Sequence, residues 1–188
     1  MSRTFDEQEI IAGCRRGEAW ARKLLYEQFA PAMLSVCARY AGNRDTARDL
    51  LQDGFIKVFT KIDSFSGSGS LAGWMRRIFV TTSLEHLRRN DALKLSMAID
   101  EYTNIADEVD VSAVEKLSAD DLLKCINELP DGYRTIFNLY AVEGYSHAEI
   151  AEMLHIKESS SRSQFGRARQ LLQKRINRET GYIEFASN

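Results

Sequence analysis

Apolar residues recur along most of this 188-residue chain at the three- and four-residue spacing of helices, and no long run alternates between apolar and polar residues. Only two prolines, Pro31 and Pro130, interrupt the pattern. Helical spacing buries one side of a helix, whereas half-buried strands need strict alternation. The sequence therefore predicts an all-α protein, long enough for one domain or for two small domains with their own cores.

Charged residues are unevenly distributed along the chain. Residues 96–130 contain two Lys or Arg against nine Asp or Glu, whereas residues 157–178 contain seven basic residues against one acidic residue. The acidic segment disfavours DNA phosphates, and the basic segment can bind them. We expect two helical domains, 1–95 and 118–188, joined by an acidic linker at 96–117.

Cysteines and hydropathy point to a reduced, cytoplasmic protein. Cys14, Cys37 and Cys125 each lie inside an apolar pattern, without the paired spacing of metal or disulfide sites, and are predicted to be small buried residues. No apolar run approaches the roughly 18–20 residues that span a bilayer, and the N-terminus lacks the apolar segment of a signal peptide. We expect no membrane insertion.

Residues 144–169 hold two helix patterns separated by a short break. Ser146 and Glu149 have the S-x-x-E spacing of a capping box, and Gly144 suits the end of the preceding helix. His155 lies at the break, where a positive φ is often needed. A short capped helix, a tight turn and a longer helix form a helix-turn-helix, whose second helix enters the major groove of DNA. The preceding helix is predicted from Tyr133, Ile136, Phe137, Tyr140 and Ala141, which recur at helical spacing.

The last helix, predicted at about 158–178, has an apolar stripe opposite a face that no acidic residue interrupts. At 100° per residue, the stripe that should pack inward consists of Ser161, Phe165, Ala168, Leu172 and Ile176. Arg reads guanine through two acceptors, and Ser and Gln can take several partners. The residues predicted to contact DNA are Ser160, Arg162, Ser163, Gln164, Gly166, Arg167, Arg169 and Lys174.

Two helices of the first half carry further surface features. In the helix predicted at 43–62, Ile56 is exposed among Asp49, Gln52 and Asp53, which fits a protein-docking face as well as an ordinary surface. After the Ser/Gly loop 64–70, the next helix places Trp74 among arginines. That arrangement suits a single nucleic-acid strand, and equally a core tryptophan with snorkelling arginines. The candidates for strand contact are Phe65, Ser66, Ser68, Trp74, Arg77, Thr81 and Arg88.

Both halves resemble the extracytoplasmic-function (ECF) subgroup of bacterial sigma factors, and in the same order. DLLQDGFIKVF at 49–59 and GWMRRIFVTTSLEHLRR at 73–89 resemble motifs of sigma domain 2. LPDGYRTIFNLYAVEGYSHAEIAEMLHI at 129–156 and S-R-S-x-x-x-R-A-R at 161–169 resemble those of sigma domain 4. Thr81 stands where the family usually has Asn, Phe79 where it has a small residue, and Gly54 lies inside a helix.

The resemblance implies a four-helix domain 2, a domain 4 with a helix-turn-helix, and a role in promoter-specific transcription initiation. The Ile56 face would dock on the clamp helices of the polymerase β′ subunit, and domain 4 would contact the β flap. The 64–70 loop would capture a flipped base of the −10 element, while Arg162, Ser163 and Arg167 would read the −35 element. The linker would thread the RNA-exit path, and an anti-sigma partner would cover the polymerase-binding surfaces.

Two other classes of protein are compatible with parts of the sequence. A stand-alone helix-turn-helix regulator would explain residues 131–178, but it leaves the Trp74 helix and the acidic linker without a purpose. An enzyme would need a catalytic or metal-binding constellation, and the three histidines form none. We expect His86, His147 and His155 to be surface or turn residues. We expect no catalytic residues, no metal and no cofactor.

Overall fold

The computed structural model describes residues 5–89 and 118–179, and every regular element within those ranges is a helix. The chain divides into two compact units, Met1–Arg89 and Asn90–Asn188. The all-α class with two helical units is thereby confirmed. The predicted linker at 96–117 lies outside the described residues, so its bounds and its path stay predictions. Within the described ranges, no helix combines the length and the apolar character needed to cross a membrane.

Unit 1 contains four helices, α1 (Glu7–Arg15), α2 (Ala19–Ala41), α3 (Arg44–Lys61) and α4 (Leu71–Arg89), with a 3₁₀ turn at Ile62–Ser64. Asp6 and Glu9 form a capping box at the start of α1, and Asn43 caps α3 by accepting a hydrogen bond from the Thr46 N–H. These side chains satisfy amide groups that the first turn of a helix leaves unpaired.

The second helix runs without interruption through Pro31, although a proline inside a helix often kinks or ends it. A proline removes one N–H from the helical ladder, which leaves the carbonyl of residue 27 without its helical donor. Pro31 and Glu27 are both exposed, so water can solvate that carbonyl. The helix therefore tolerates the proline on its solvent side.

Gly54 and Phe79 form one packing unit in the core of unit 1. Phe79 is fully buried, and its ring meets Phe55 edge-on with centroids 5.3 Å apart. A Cβ atom at Gly54 would lie 2.1 Å from Phe79 Cε1, closer than any real contact. The glycine inside α3 thus makes room for the large residue on α4, which explains two departures from the family pattern together.

Unit 2 contains α5 (Ala119–Asn127), α6 (Asp131–Phe137), a π-helical turn (Asn138–Val142), α7 (His147–Leu154) and α8 (Glu158–Glu179). Ser118 caps α5: its Oγ accepts the Asp121 N–H at 3.2 Å. The apolar core joins α5 and α6 to the C-terminal half of α8. Its buried members are Cys125, Ile126, Leu129, Tyr133, Ala168, Leu172 and Ile176.

Arg134 is buried between α5 and α6, and its guanidinium hydrogen-bonds to the turn that precedes Pro130. Its Nη1 donates to the carbonyls of Asn127 at 2.7 Å and Leu129 at 3.2 Å, and its Nη2 pairs with Asp131 at 2.5 Å. The last carbonyls of a helix have no donors within the helix. Here the buried guanidinium of Arg134 supplies donors to these carbonyls, and Asp131 balances its charge.

All three cysteines are free and buried, as predicted.

Candidate nucleic-acid interface

The turn between α7 and α8 has the geometry that the sequence predicts. Ser146 Oγ accepts the Glu149 N–H at 3.2 Å, and the Glu149 carboxylate accepts the Ser146 N–H at 2.8 Å, which completes the capping box. His155 adopts φ 55° and ψ 44°, so the predicted positive φ is confirmed. The Ile156 N–H then closes on the Ala151 carbonyl at 3.0 Å. A residue in this left-handed conformation ends a helix abruptly, and α8 begins three residues later, at Glu158.

His147 joins the first turn of α8 to the rest of unit 2. Its Nδ1 lies 2.9 Å from Ser161 Oγ, and its ring stacks on Tyr140 with centroids 4.3 Å apart and an interplanar angle of 11°. The side chain is 8% exposed, whereas we expected a surface or turn histidine. Burial, followed by the positive charge of Arg162, lowers the pKa of His147, against an opposing effect of Glu158. Burial and Arg162 thus favour the neutral imidazole. The contact of its ring with Ser161 connects α7 to α8.

The inward side of α8 agrees with the predicted stripe at four of its five positions, since Phe165 is only half-buried. Gln164, predicted to contact DNA, is 4% exposed, so its side chain is not available to DNA in this conformation. It follows Ser161 by three residues and precedes Ala168 by four, and helical geometry puts all three on the same side. The DNA contacts available on α8 therefore do not include Gln164.

The outward side of α8 presents the other predicted DNA contacts as one surface. Ser160 and Arg167 are partly buried, and the Ser163 hydroxyl donates to the Ser160 carbonyl at 3.1 Å. This surface is convex and basic, and it begins directly after the turn, as a helix that enters a major groove requires. We call it the recognition surface; its exposed members are Arg162, Ser163, Gly166, Arg169 and Lys174.

One acidic residue modifies the recognition surface. The Glu158 carboxylate accepts a hydrogen bond from Arg162 Nη2, and both side chains are exposed. The four-residue spacing of the pair is visible in the sequence, and it was missed because Glu158 lies at the edge of the predicted helix. In this structure Arg162 thus already has an anionic partner.

In unit 1, the loop at 66–70 and the exposed side of α4 form the second candidate surface. Ser66 and Ser68 are exposed with their hydroxyls 2.7 Å apart, and the Thr81 hydroxyl donates to the Arg77 carbonyl at 2.8 Å. Arg77 and Arg88 are exposed as well, so the cations point to solvent.

Phe65 and Trp74 are less accessible than we expected. Phe65 is 5% exposed, and its ring packs against the half-buried ring of Trp74 with centroids 5.4 Å apart. A residue that follows a helical turn and precedes a polar loop is well placed to anchor that loop in the core. Phe65 is therefore not a contact residue in this conformation, and the part of Trp74 that stays exposed is the available aromatic surface.

The third surface lies on α3 and agrees with the predicted exposure. Ile56 is 63% exposed, and Asp49, Gln52 and Asp53 are exposed around it at helical spacing. An apolar side chain with a polar, acidic rim has the composition of a small protein-docking site. Among the described residues, no group of three His, Cys, Asp or Glu is placed to hold a metal ion.

Comparison with known families matches both units. The family model of Sigma-70 region 2 matches residues 25–93, and that of Sigma-70, region 4 matches residues 119–172. Together the two matches span more than half of the chain, and each lies almost entirely on one helical unit.

Individual relatives extend over nearly the whole chain. The ECF RNA polymerase sigma-E factor of Haemophilus influenzae is 28% identical over 187 residues, which cover 94% of this chain and 98% of the relative. The ECF RNA polymerase sigma factor SigE of Mycolicibacterium smegmatis is 30% identical over 152 residues, which cover 79% of this chain and 58% of the relative.

A solved structure shares the fold. In a co-crystal structure of the sigma factor RpoE in complex with the anti-sigma factor NepR from Bartonella quintana, the matched chain has a TM-score of 0.53 and 22% identity. The match covers 82% of this chain and 96% of that one. With both family matches, the relatives and the helix-turn-helix in agreement, the chain belongs to the ECF group of the sigma-70 family and directs the initiation of transcription by RNA polymerase at promoters.

Proposed function

We propose that the recognition surface on α8 reads the −35 element of a promoter, while unit 1 docks on polymerase through the Ile56 face and captures the −10 element with the loop 66–70 and α4. The observation that carries the proposal is the exposed basic face of α8 behind the left-handed turn at His155. Polymerase supplies the catalytic chemistry, and this chain supplies promoter selection in the cytoplasm.

Within the recognition surface, two kinds of contact follow from position. Arg162, Ser163 and Arg167 lie in the N-terminal half of α8, the part that reaches base edges in this arrangement. Arg169 and Lys174 lie further along the helix, where contact with the phosphate backbone adds affinity without reading sequence. Replacing a residue of the first kind should change promoter choice, and replacing one of the second kind should not.

Substitution of the basic residues tests this division. Arg162→Ala should lower affinity for the cognate promoter by roughly ten- to hundredfold, with a smaller loss on other sequences, since one bidentate base contact discriminates by about 1–3 kcal/mol. Lys174→Ala should weaken binding about equally on all sequences and reduce the salt slope by about one. Arg178→Ala, which removes the same charge near the helix end, is the control. Equal losses for Arg162→Ala on all sequences would contradict the −35 assignment.

The docking face is tested by the exposed isoleucine. Ile56→Ala should weaken association with polymerase core, because an apolar group at the centre of a small interface is one of the few that carry its affinity. The fold should be unaffected, since Ile56 is 63% exposed. Lys61→Ala is the control, as Lys61 is exposed at the end of the same helix and lies outside the face. Unchanged affinity for core in both variants would remove α3 from the interface.

A direct test of the whole proposal reconstitutes holoenzyme from this chain and polymerase core. Co-elution from gel filtration, followed by run-off transcription from a genomic library with discrete start sites, is the expected result. Those start sites also supply the promoter sequences for the other experiments. Failure to bind core, together with retained affinity for duplex DNA, would instead indicate the stand-alone regulator.

We also propose an anti-sigma partner. The Bartonella quintana sigma factor of similar fold is described in complex with the anti-sigma factor NepR. An exposed Ile56 on an acidic face offers such a partner the same contact that we assign to polymerase. Affinity purification of the tagged chain from its host should recover a protein that core polymerase displaces, and Ile56→Ala should reduce its recovery. Full transcriptional activity of the chain in its host without any such protein would refute this part.

A further inference from the structure

One hydrogen bond connects α1 to the start of the loop that we assign to the −10 element. Arg15, in the last turn of α1, donates from Nη2 to the Phe65 carbonyl at 2.5 Å. The two residues are fifty positions apart in the sequence. Arg15 also lies outside the segment that matches Sigma-70 region 2, which begins at residue 25.

Beyond Phe65 the loop has few internal constraints. Gly67 and Gly69 have φ values of 79° and 87°, and a Cβ atom added at either would meet nothing within 4 Å. Glycine adopts positive φ angles without the steric cost that other residues meet, so the backbone has more accessible conformations at these two positions. Apart from the hydrogen bonds between Ser66 and Ser68, the path of the loop is therefore set mainly by its two ends.

The two ends are held in different ways. At the far end, Ser70 Oγ accepts the Gly73 N–H at 3.2 Å, which ties the loop to the first turn of α4. At the near end, the buried Phe65 ring packs on Trp74, and the Phe65 N–H donates to the Ile62 carbonyl at 3.2 Å. The guanidinium of Arg15 adds a charged donor to the carbonyl of the same residue, at the point where the chain leaves the core.

We propose that Arg15 is a positioning residue for the loop 66–70: by holding the Phe65 carbonyl, it fixes where the loop leaves unit 1 and keeps the loop ready for a promoter base. This inference rests on the proposed role of the loop in −10 recognition. Arg15 itself does not contact the base. Its effect is to reduce the number of loop conformations that must be lost when a base is captured.

Two variants and one control separate positioning from general stability. Arg15→Met removes the donor and keeps a long apolar side chain, while Arg15→Lys keeps the charge with a different donor geometry. Arg16→Met is the control, because Arg16 is the next residue, is exposed and pairs with Glu18 at 2.8 Å. All are tested as full-length chains in holoenzyme.

The assay measures affinity of holoenzyme for single-stranded oligonucleotides that carry the −10 sequence of a mapped promoter. A series with one abasic site at each position first identifies the captured base, as the position where wild-type affinity falls. Arg15→Met should then weaken binding to the intact oligonucleotide by up to about tenfold, because the hydrogen bond can favour the binding-ready loop by no more than its own net worth of about 1.4 kcal/mol. It should cause little further loss on the oligonucleotide that is abasic at the captured position. Arg15→Lys should recover part of the loss, and Arg16→Met should match wild type.

Each other outcome overturns the inference in a recognisable way. If Arg15→Met weakens the intact and the abasic oligonucleotides equally, Arg15 has only a general structural role. If it weakens neither, the hydrogen bond has no influence on the loop. If wild-type holoenzyme is indifferent to every abasic position, base capture by unit 1 fails first, and that failure is visible before any Arg15 variant is compared.

Discussion

Replacing Gly54 by alanine should destabilise unit 1, although the same change in an ordinary helix is stabilising. Alanine in a helix interior is favoured over glycine by about 1 kcal/mol. Here the new Cβ would lie 2.1, 2.4 and 2.7 Å from three atoms of the Phe79 ring, and that ring is fully buried. Overpacking a rigid core costs about 1–3 kcal/mol, and a ring that must move by more than 1 Å belongs at the upper end of that range. The net loss should therefore be about 2 kcal/mol.

A second substitution reverses the sign of this effect. Phe79→Ala removes the ring and should itself cost about 3–5 kcal/mol through the cavity it leaves. In that background Gly54→Ala meets no ring, keeps its helix propensity and should stabilise unit 1 by about 1 kcal/mol. Phe79→Leu provides the same comparison if the alanine variant does not fold. The expected interaction energy between the two sites is about 3 kcal/mol, at the top of the range for residues in contact.

Tryptophan fluorescence during urea unfolding measures unit 1 separately, because both tryptophans of the chain, Trp20 and Trp74, lie within Met1–Arg89. With an m value of about 1–2 kcal/mol per molar urea, Gly54→Ala should lower the midpoint by about 1–2 M. Gly73→Ala in α4 is the control, since its Cβ would approach only the Ser70 side chain, at 3.8 Å. A Gly54→Ala variant at least as stable as wild type would show that the ring relocates freely, and the packing argument would be wrong.

Two further predictions concern unit 2. Arg134→Met should destabilise it by about 2–4 kcal/mol, because the carbonyls of Asn127 and Leu129 lose a buried donor; faster hydrogen exchange in α5 and α6 checks this, and unchanged exchange would refute it. The stability of unit 2 should also fall as the pH drops below about 6.5, because burial lowers the pKa of His147 in the folded state, so the unfolded chain binds more protons. Hydrogen exchange of α7 and α8 at pH 7.5 and 5.5 tests this, and the same pH dependence in His147→Asn would assign the effect to another group.

Features decided by local chemistry were predictable from the sequence. The capping box at Ser146 depends on a polar side chain and its neighbours within three residues, and it forms as expected. The left-handed turn at His155 and the exposure of Ile56 likewise follow from short-range pattern. The order of the motifs also led to the correct family.

Features decided by contacts between distant elements were not predictable. Gln164 is polar and lies only to one side of the predicted stripe, so its burial depends on how α8 packs on the rest of unit 2. Phe65 is buried because Trp74 is available to receive its ring, nine positions later and on another element. The pairing of Gly54 with Phe79 required the register of α3 against α4. In each case the sequence gives the chemistry of a residue but not its partner.

The π-helical turn at Asn138–Val142 shows how such a difference arises inside one helix. A π turn holds one more residue than the α-helical period allows, so side chains beyond its start rotate relative to the expected pattern. Asn138 and Leu139 are fully buried, while Tyr140, which helical spacing grouped with the apolar residues, is 40% exposed. Its ring nonetheless stacks on His147 at the start of α7 and lies 4.5 Å, centroid to centroid, from Phe165, so the displaced tyrosine contacts the recognition helix.

Glu158 and Arg162 form their ion pair at the start of that helix. Arg162 must therefore exchange the Glu158 carboxylate for a DNA base when it contacts DNA. The arginine gives up a carboxylate when it takes a base, so the net gain is a base contact of about 1–3 kcal/mol less an exposed ion pair of about 0.3–0.5 kcal/mol. Guanine offers two acceptors that match the guanidinium fork, whereas other bases offer a poorer replacement. A helix built in this way gives up some affinity for every DNA sequence, and keeps the contact only where a base replaces what the carboxylate supplied.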